Sequence, residues 1–408
     1  MASDGAGAEC AAMAGGHSHG VAPPARQVPA RVRRLLLAAV APFLVATLIG
    51  LIVLWPRGRG PSATNSFGVQ AKLFNGTVLS VRREPCGGGP VTATPCQTSQ
   101  VRVTNGPDKG LVTALELSVG PGNPNLKKGD PIVVGRTVDE TGVNYSFADY
   151  QRRTPLLLLA LLFTVVVVAV GRWRGVAAVG GLVITFAVLV KFVLPAVLRG
   201  ESPLLVAIVG AAAVMFVIMY LAHGLNAQTT TALLGTLVSL ALIALLAGLF
   251  IAVGRIVNIG SDETTFLQAS AAQVNLQGLL LGGIIIGSLG VLNDVTVTQA
   301  SAVWQLRAAR PAASVAELYH SAMRIGRDHI ASTVDTLVLA YAGASLPLLL
   351  LFTLANRPVG DVLTGELVAE EIVRTLVGSI GLVASVPITT YLAALVASQI
   401  RPRNRDAG

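Results

Sequence analysis

Long apolar runs alternate with short polar segments along most of the chain. Runs of about 18 or more apolar residues predict transmembrane helices. Eight segments qualify: 35–55, 155–171, 176–194, 203–222, 229–253, 279–300, 333–354 and 373–397. The second run is short and the third begins a few residues later, so the division between these two stays open. The pattern predicts an α-helical polytopic membrane protein with about eight transmembrane helices.

The segment 60–152 interrupts this pattern between the first and second runs. Short stretches of alternating apolar and polar residues begin at Gly76, Gln100, Val112 and Pro131, and Gly, Pro and Asn separate them. Such a pattern predicts a small antiparallel all-β domain of about four to six strands, with a barrel as one arrangement. Cys86 and Cys96 flank a Gly- and Thr-rich stretch in this insert and could form a disulfide; two unpaired cysteines are the alternative.

Basic residues indicate how the chain is oriented, because Lys and Arg accumulate on cytoplasmic loops. Arginines cluster before the first run and in alternate short loops, whereas the loops between them are richer in Asp and Glu. We expect both termini, 1–34 and 401–408, to be cytoplasmic tails, the first of them disordered, and 60–152 to be extracytoplasmic. A secretory signal peptide is the alternative interpretation of 35–55, but no Ala-x-Ala site follows it, which favours an uncleaved anchor.

Composition excludes a water-soluble enzyme. Of 408 residues, 53% are hydrophobic and 12% charged, and the mean hydropathy is +0.68. Ordinary soluble domains have about a quarter charged residues. The net charge of +9 follows from loop arginines that set topology, so it does not indicate a nucleic-acid partner.

Common catalytic motifs are absent from the apolar segments and the β-insert. The sequence has no G-x-x-x-x-G-K-[ST] and no H-E-x-x-H pattern, and its one G-x-S-x-G match, Gly16 to Gly20, lies in the N-terminal tail and not between a predicted strand and a predicted helix. We therefore expect neither an ATP-driven transporter nor an enzyme, and we predict no cofactor and no metal site.

The sixth run places small and polar residues on one helical face: Gly283, Gly287, Gly290, Asp294 and Thr298. Glycines at this spacing predict a face on which another helix packs. A carboxylate within a transmembrane helix costs about 3 kcal/mol or more unless it is paired, protonated or hydrated. Asp294 is therefore a candidate functional residue.

The seventh run contains a second carboxylate, Asp335, which we expect at a depth similar to that of Asp294. In one interpretation the two bind a cation or share a proton, with Thr298, Thr336 and Gln299 as supporting groups. In the other, both carboxylates only hydrogen-bond neighbouring helices or pair with Arg324 and Arg327.

Two further segments organise the helical membrane domain, 155–400. The eighth run has a stripe of small and polar residues, Gly378, Gly381, Ser385 and Thr389, which predicts helix packing. Before the seventh run, 311–328 has an apolar face and begins with a capping-box pattern, Ser314-x-x-Glu317. We expect this segment to be an amphipathic helix lying on the cytoplasmic membrane surface.

The same segments resemble a known family. LGVLNDVTVTQAS at 289–301, IGRDHI at 325–330 and DTLVLAY at 335–341 are similar to the YibE/F family of bacterial multi-pass membrane proteins. The resemblance implies a bacterial cell membrane and marks Asp294 and the interface motif Arg327, Asp328 and His329 as characteristic positions. The family usually has Asn where Asp335 stands, so the resemblance favours Asp294 as the single important carboxylate. It implies no substrate.

Two functional hypotheses follow. The first is a secondary permease or channel-like transporter that moves a small solute or ion past Asp294. The second is a membrane scaffold or sensor whose β-domain binds a cell-envelope partner. Beyond the lipid bilayer, the partners expected are such an envelope protein or a second copy of the chain.

Overall fold

The computed structural model describes residues 29–58, 72–85, 95–120, 122–139, 142–258, 260–354 and 358–400. Most of these residues form helices, with one small β-domain near the N-terminus. Of the predicted tail 1–34, residues 1–28 lie outside the described residues, as do the tail 401–408 and the predicted disulfide partner Cys86. Residues 30–34, predicted as part of the disordered tail, instead form the start of the first helix.

The β-domain is a five-stranded antiparallel sheet with the strand order β3-β2-β1-β4-β5. The strands are β1 (Lys72–Pro85), β2 (Pro95–Val103), β3 (Val112–Ser118), β4 (Pro131–Asp139) and β5 (Gly142–Tyr150). The long strand β1 pairs with β2 over 76–85 and with β4 over 72–77, and the edge strands β3 and β5 contact each other. The sheet is therefore barrel-like, which confirms the prediction of a small antiparallel β-domain.

The alternation of apolar and polar residues along the strands explains the interior of this domain. Seven apolar side chains form its buried core: Val78, Val101, Val103, Leu115, Leu126, Ile132 and Val134. Gln97 is also buried and donates a hydrogen bond to the Leu126 carbonyl, at 2.7 Å. Cys96, next to it, is disulfide-bonded.

Helices make up the rest of the described chain. They are α1 (Ala30–Val53), α2 (Arg153–Val188), a π-helical stretch (Leu189–Val193), α3 (Leu194–Leu198), α4 (Pro203–His223), α5 (Ala227–Val253), α6 (Asp262–Ser270), α7 (Leu276–Ala309), α8 (Val315–Ala344), α9 (Leu346–Leu354), α10 (Val359–Thr364) and α11 (Glu366–Ser398). The main core lies between α4, α5, α7 and α11, and Val40 of α1 joins it.

Six helical segments of the described chain are long and apolar enough to cross a membrane, or seven if the bent pair α8 and α9 counts as one span. The predicted second and third spans fall in one of the six, Arg153–Leu198. This segment is interrupted at Arg172, where φ is 52° and ψ is −131°. A Cβ on Gly175 would overlap the Val167 carbonyl oxygen, so only glycine lets the chain fold back so closely there.

The predicted surface segment 311–328 differs from our expectation in one respect. It is the first half of α8, and α8 continues without a break to Ala344. Its apolar face packs on α7 and α11, where Leu318 and Ala322 are buried with Val303. Because nothing between 328 and 333 interrupts a helix, the segment and the seventh run are one helix.

The end of α8 divides the predicted seventh span instead. The helix bends by 57° between Ala344 and Leu346. Pro347 lies in the first turn of α9 and lacks the N–H that would continue the helical hydrogen bonds of α8.

Candidate functional site

Asp294 lies on an open face of α7, beside α8. Its side chain is 69% exposed, and its Oδ2 lies 3.8 Å from Nε2 of His329. A Cβ added to Gly283 or Gly290 would meet no atom within 4 Å, and one on Gly287 would lie 3.6 Å from the Tyr341 hydroxyl. Within the described residues, the face that contains Asp294 is therefore largely open, with His329 and Tyr341 of α8 beside it.

This finding corrects the predicted packing face of α7. The closely packed glycines are Gly278 and Gly282, whose added Cβ atoms would lie 3.1 Å from the Pro203 Cδ and the Ala207 Cβ of α4. Gly282 and Gly283 differ by about 100° around the helix. Apolar residues flank both, so the sequence period alone could not choose between the two faces.

On α11, by contrast, both predicted glycines lie at helix contacts. A Cβ on Gly378 would lie 3.5 Å from the Ser288 Oγ of α7, and one on Gly381 would overlap Ile243 of α5. Gly326 of α8 faces Val386 and Gln299 in the same way.

The structure does not bring Asp294 and Asp335 together. Asp335 is exposed and lies six positions after His329, the neighbour of Asp294. Six positions correspond to about 9 Å along α8 and about 240° around it. No hydrogen bond or ion pair within the described part of the chain joins the two aspartates. Arg327 and Asp328 are also exposed.

Gln299 belongs to another site. It is fully buried, and its Oε1 accepts a hydrogen bond from the Thr390 hydroxyl of α11, at 3.0 Å. It lies five positions after Asp294, which corresponds to about 140° around α7. Gln299 therefore faces α11, and the predicted group of Asp294, Thr298 and Gln299 is divided between two sides of α7.

A set of buried polar side chains lies where α5, α7 and α11 meet. We call it the polar row. Its members are Ser239, Thr236, Ser288, Thr296, Gln299, Ser379, Ser385, Thr389 and Thr390. Ser288 and Gln299 at its two ends are eleven positions apart, which corresponds to about 16 Å along α7.

Contacts between helices align the members of the polar row. Thr236 and Thr296 share a hydrogen bond of 2.7 Å between α5 and α7. Gly381 faces Ile243 and Gly235 faces Thr389, so α5 and α11 run antiparallel in register. Ser239 and Ser385 each lie halfway between these two contacts and therefore at the same depth.

Three members of the polar row have an unused hydrogen-bonding atom. Ser379 Oγ, Thr389 Oγ1 and Gln299 Nε2 are buried and have no hydrogen-bond partner among the described residues. Buried polar groups are nearly always hydrogen-bonded, because an unmade bond costs about 1–3 kcal/mol. These atoms are available to a polar species within the helix bundle.

A cavity of about 670 Å³ lies at one end of the bundle, and its lining includes Glu263, Glu370 and Glu371. We call this end of the bundle the acidic end. Gly283 of α7 and Arg374 of α11 also line the cavity. They lie five positions before Ser288 and Ser379, the members of the polar row nearest to this end. Sequence reasoning missed this site, although Arg374 and Glu370 extend the stripe of Gly378, Gly381, Ser385 and Thr389 in steps of four residues.

A larger cavity of about 1360 Å³ lies at the opposite end of the bundle, and its lining includes Arg174, His223 and Arg307. We call this end of the bundle the basic end. Thr298 also lines the cavity, next in sequence to Gln299 of the polar row, although Gln299 itself does not line it. Arg307 is buried and donates hydrogen bonds to the carbonyls of Ala313, Ser398 and Ile400. It therefore ties α7 to the end of α11.

No group of three or more His, Cys, Asp or Glu side chains in the described ranges could hold a metal ion. The arrangement is instead a helix bundle with apolar outer surfaces, buried hydroxyls and a cavity at each end. Its apolar helices are compatible with a membrane-embedded protein.

The comparison with protein families agrees with a helical, membrane-embedded protein. The model of the YibE/F-like protein family matches residues 159–399, and the chain belongs to this family. The match covers the helices from α2 to α11 and excludes the β-domain. No curated protein and no solved structure matches the chain.

Proposed function

We propose that this chain is a secondary permease or channel-like protein of the cell membrane. It moves a small polar solute or ion along the interface of α5, α7 and α11. The observation that supports this proposal is the polar row, which lies between the acidic-end cavity and the basic-end cavity and contains unpartnered polar atoms. The proposed activity is non-enzymatic and independent of ATP.

The proposed topology has eight spans with both termini in the cytoplasm. Dividing Arg153–Leu198 at Arg172 and counting α8 with α9 as one span adds two spans to the six apolar helical segments. Under this topology the basic end is cytoplasmic and the acidic end is extracytoplasmic, as the distribution of charged residues favours. The β-domain then lies outside the cytoplasm.

Asp294 has a separate place in this proposal. It lies outside the polar row, next to His329, so a solute in the row would not touch it. A test of the polar row and a test of Asp294 therefore address two different paths through the same bundle.

Flux into proteoliposomes tests the proposal. Thr389→Val removes an unpartnered hydroxyl and keeps the shape of the side chain, so folding should be unaffected. Losing one hydrogen bond in the path raises the barrier by about 1 kcal/mol, which slows flux about fivefold. Thr336→Val, on the exposed side of α8, is the matched control and should leave flux unchanged.

The panel contains monovalent ions, divalent ions, protons and small neutral solutes. Equal flux in the wild type and in Thr389→Val for every solute transported would contradict a path along the polar row. If Asp294→Asn abolishes flux instead, the path follows the open face of α7 and the row is structural. Absence of any wild-type flux would remove the permease proposal.

A membrane scaffold or sensor is the second candidate function. The observation that favours it is the open face of α7, where Asp294 is exposed and a Cβ on Gly283 or Gly290 would meet no atom of the described chain within 4 Å. Such a face suits contact with another protein in the membrane, and the β-domain suits contact with an envelope partner. In this case deletion of 72–150 abolishes the cellular phenotype, whereas Thr389→Val does not change it.

A further inference from the structure

The acidic-end cavity contains a buried carboxylate that the polar row does not use. Glu370 lies in the second turn of α11, is 7% exposed and lines this cavity. Its Oε1 has no hydrogen-bond partner among the described residues. A buried charge without a partner costs several kcal/mol, so the site requires either a proton or a cation on this carboxylate.

The neighbouring charges are already engaged. Glu371 pairs with Arg374, whose Nη1 lies 3.1 Å from its Oε1. Glu366 accepts hydrogen bonds from the backbone N–H groups of Val257 and Asn258, at 3.0 and 2.7 Å. Glu263 is exposed at the edge of the cavity. Arg374 therefore forms its ion pair with Glu371. Within the described residues no cation lies within ion-pair distance of Glu370, although the Arg374 charge acts on it from the next turn of α11.

The bend between α8 and α9 supplies further negative potential. Ala344 and Ser345, at the C-terminus of α8, line the same cavity. The Ser345 N–H donates to the carbonyls of Tyr341 and Gly343, and this end of the helix still has a partial negative charge. Broken helices in transporters place the carbonyls of such helix ends around cations. Ser345, Ser261 and Thr264 add hydroxyl oxygens to the lining.

We propose that Glu370 and the C-terminus of α8 form a binding site for a monovalent cation such as Na⁺ or K⁺. One unpaired carboxylate neutralises one positive charge, and the described residues contain no cluster of three acidic or imidazole ligands that would hold a multivalent metal. The cavity is also large enough for the cation to keep part of its water shell. The inference deepens the permease proposal, on which its role in transport rests, since Glu370 and Ser379 of the polar row lie on the same helix, nine positions apart.

Protection from a carbodiimide tests the site without measuring transport. Dicyclohexylcarbodiimide modifies protonated carboxyl groups in apolar surroundings, and mass spectrometry of the full chain in lipid nanodiscs locates the modified residue. NaCl, KCl, MgCl₂ and CaCl₂ are compared with N-methylglucamine chloride at a constant ionic strength of about 0.1 M. Labelling of Glu370 should slow about tenfold when Na⁺ or K⁺ is at ten times its Kd. Glu317, which is exposed in the capping box of α8, should remain unlabelled in every salt, and this confirms that the reagent reaches only carboxyl groups in apolar surroundings.

Two results would overturn the assignment. Equal labelling of Glu370 in all salts means that the carboxyl holds only a proton, and stronger protection by Mg²⁺ or Ca²⁺ means that the site selects divalent ions. Binding of radioactive Na⁺ or Rb⁺ should also be lost in Glu370→Gln and kept in Glu317→Gln. If Glu370→Gln does not fold, the protection of Glu370 in the wild-type protein still decides whether the cation site exists. Protection without flux supports the site and removes the permease, whereas flux without protection removes the site.

Discussion

Replacing Gly381 by alanine is the sharpest test of how the bundle packs. Gly381 is buried in α11, and an added Cβ would overlap Ile243 Cγ1 and lie 2.5 Å from its Cδ1. Carbon atoms in contact are normally about 3.5–4.0 Å apart. Ile243 is itself fully buried, and a β-branched side chain in a helix has one strongly preferred rotamer. The overlap must therefore move one helix relative to the other.

The expected cost follows from comparison with an open glycine. Overpacking a buried position costs about 1–3 kcal/mol. Replacing glycine by alanine in a helix gains up to about 1 kcal/mol in propensity. Gly283→Ala has the same gain without the overlap, since nothing lies within 4 Å of its added Cβ. The difference in free energy of unfolding between the two variants should therefore be about 1–3 kcal/mol.

Reversible unfolding in mixed detergent micelles, followed by tryptophan fluorescence, measures this difference. Ile243→Ala should relieve the overlap, so in the double variant the effects should not add, with a coupling of about 0.5–3 kcal/mol. Equal stability of Gly381→Ala and Gly283→Ala, or additive effects with Ile243→Ala, would refute the packing of α5 against α11.

Three further predictions concern other parts of the structure. Arg307→Met removes hydrogen bonds to three carbonyls and should lower the free energy of unfolding by about 2–3 kcal/mol, whereas exposed Arg310→Met should not, in the same detergent assay. In the β-domain, hydrogen bonds from Tyr145 and Arg136 lower the pKa of Asp108, so this carboxylate stabilises the domain above its usual pKa of about 3.9, and the stabilisation is lost as pH falls through the lowered pKa. Tyr145→Phe should move this loss of stability to higher pH. Hydrogen exchange of 72–150 at a series of pH values, corrected for intrinsic exchange rates, would detect the shift. The same loss of protection at low pH in the variant and the wild type would contradict the prediction. Ser314→Ala removes the N-cap of α8 and should cost about 1 kcal/mol, seen as faster amide exchange in its first turn only.

The local signals of the sequence identified several elements well. Alternation predicted the β-domain, whose five strands lie within 60–152. The Ser314-x-x-Glu317 pattern predicted a capping box, and the structure contains both of its hydrogen bonds. These features depend on residues close together in the chain, so short-range patterns suffice to predict them.

The apolar runs also predicted which segments are helical, but not which faces of the helices meet. In α7, Gly282 rather than Gly283 contacts α4, and Gln299 turns away from Asp294 toward α11. In a helix that is apolar on all sides the hydrophobic period does not mark a buried face. The contacts are then decided by the shape of the neighbouring helices.

The sequence by itself therefore determined that the chain is a helical protein with apolar segments, a small β-domain and a few polar groups within its helices. Only the tertiary structure decided which of these polar groups share a site. It exposed Asp294, separated it from Asp335, and aligned hydroxyls of α5, α7 and α11 between two cavities. The physical reason is that small side chains allow close approach on several faces, and the complete packing of the bundle selects one of them.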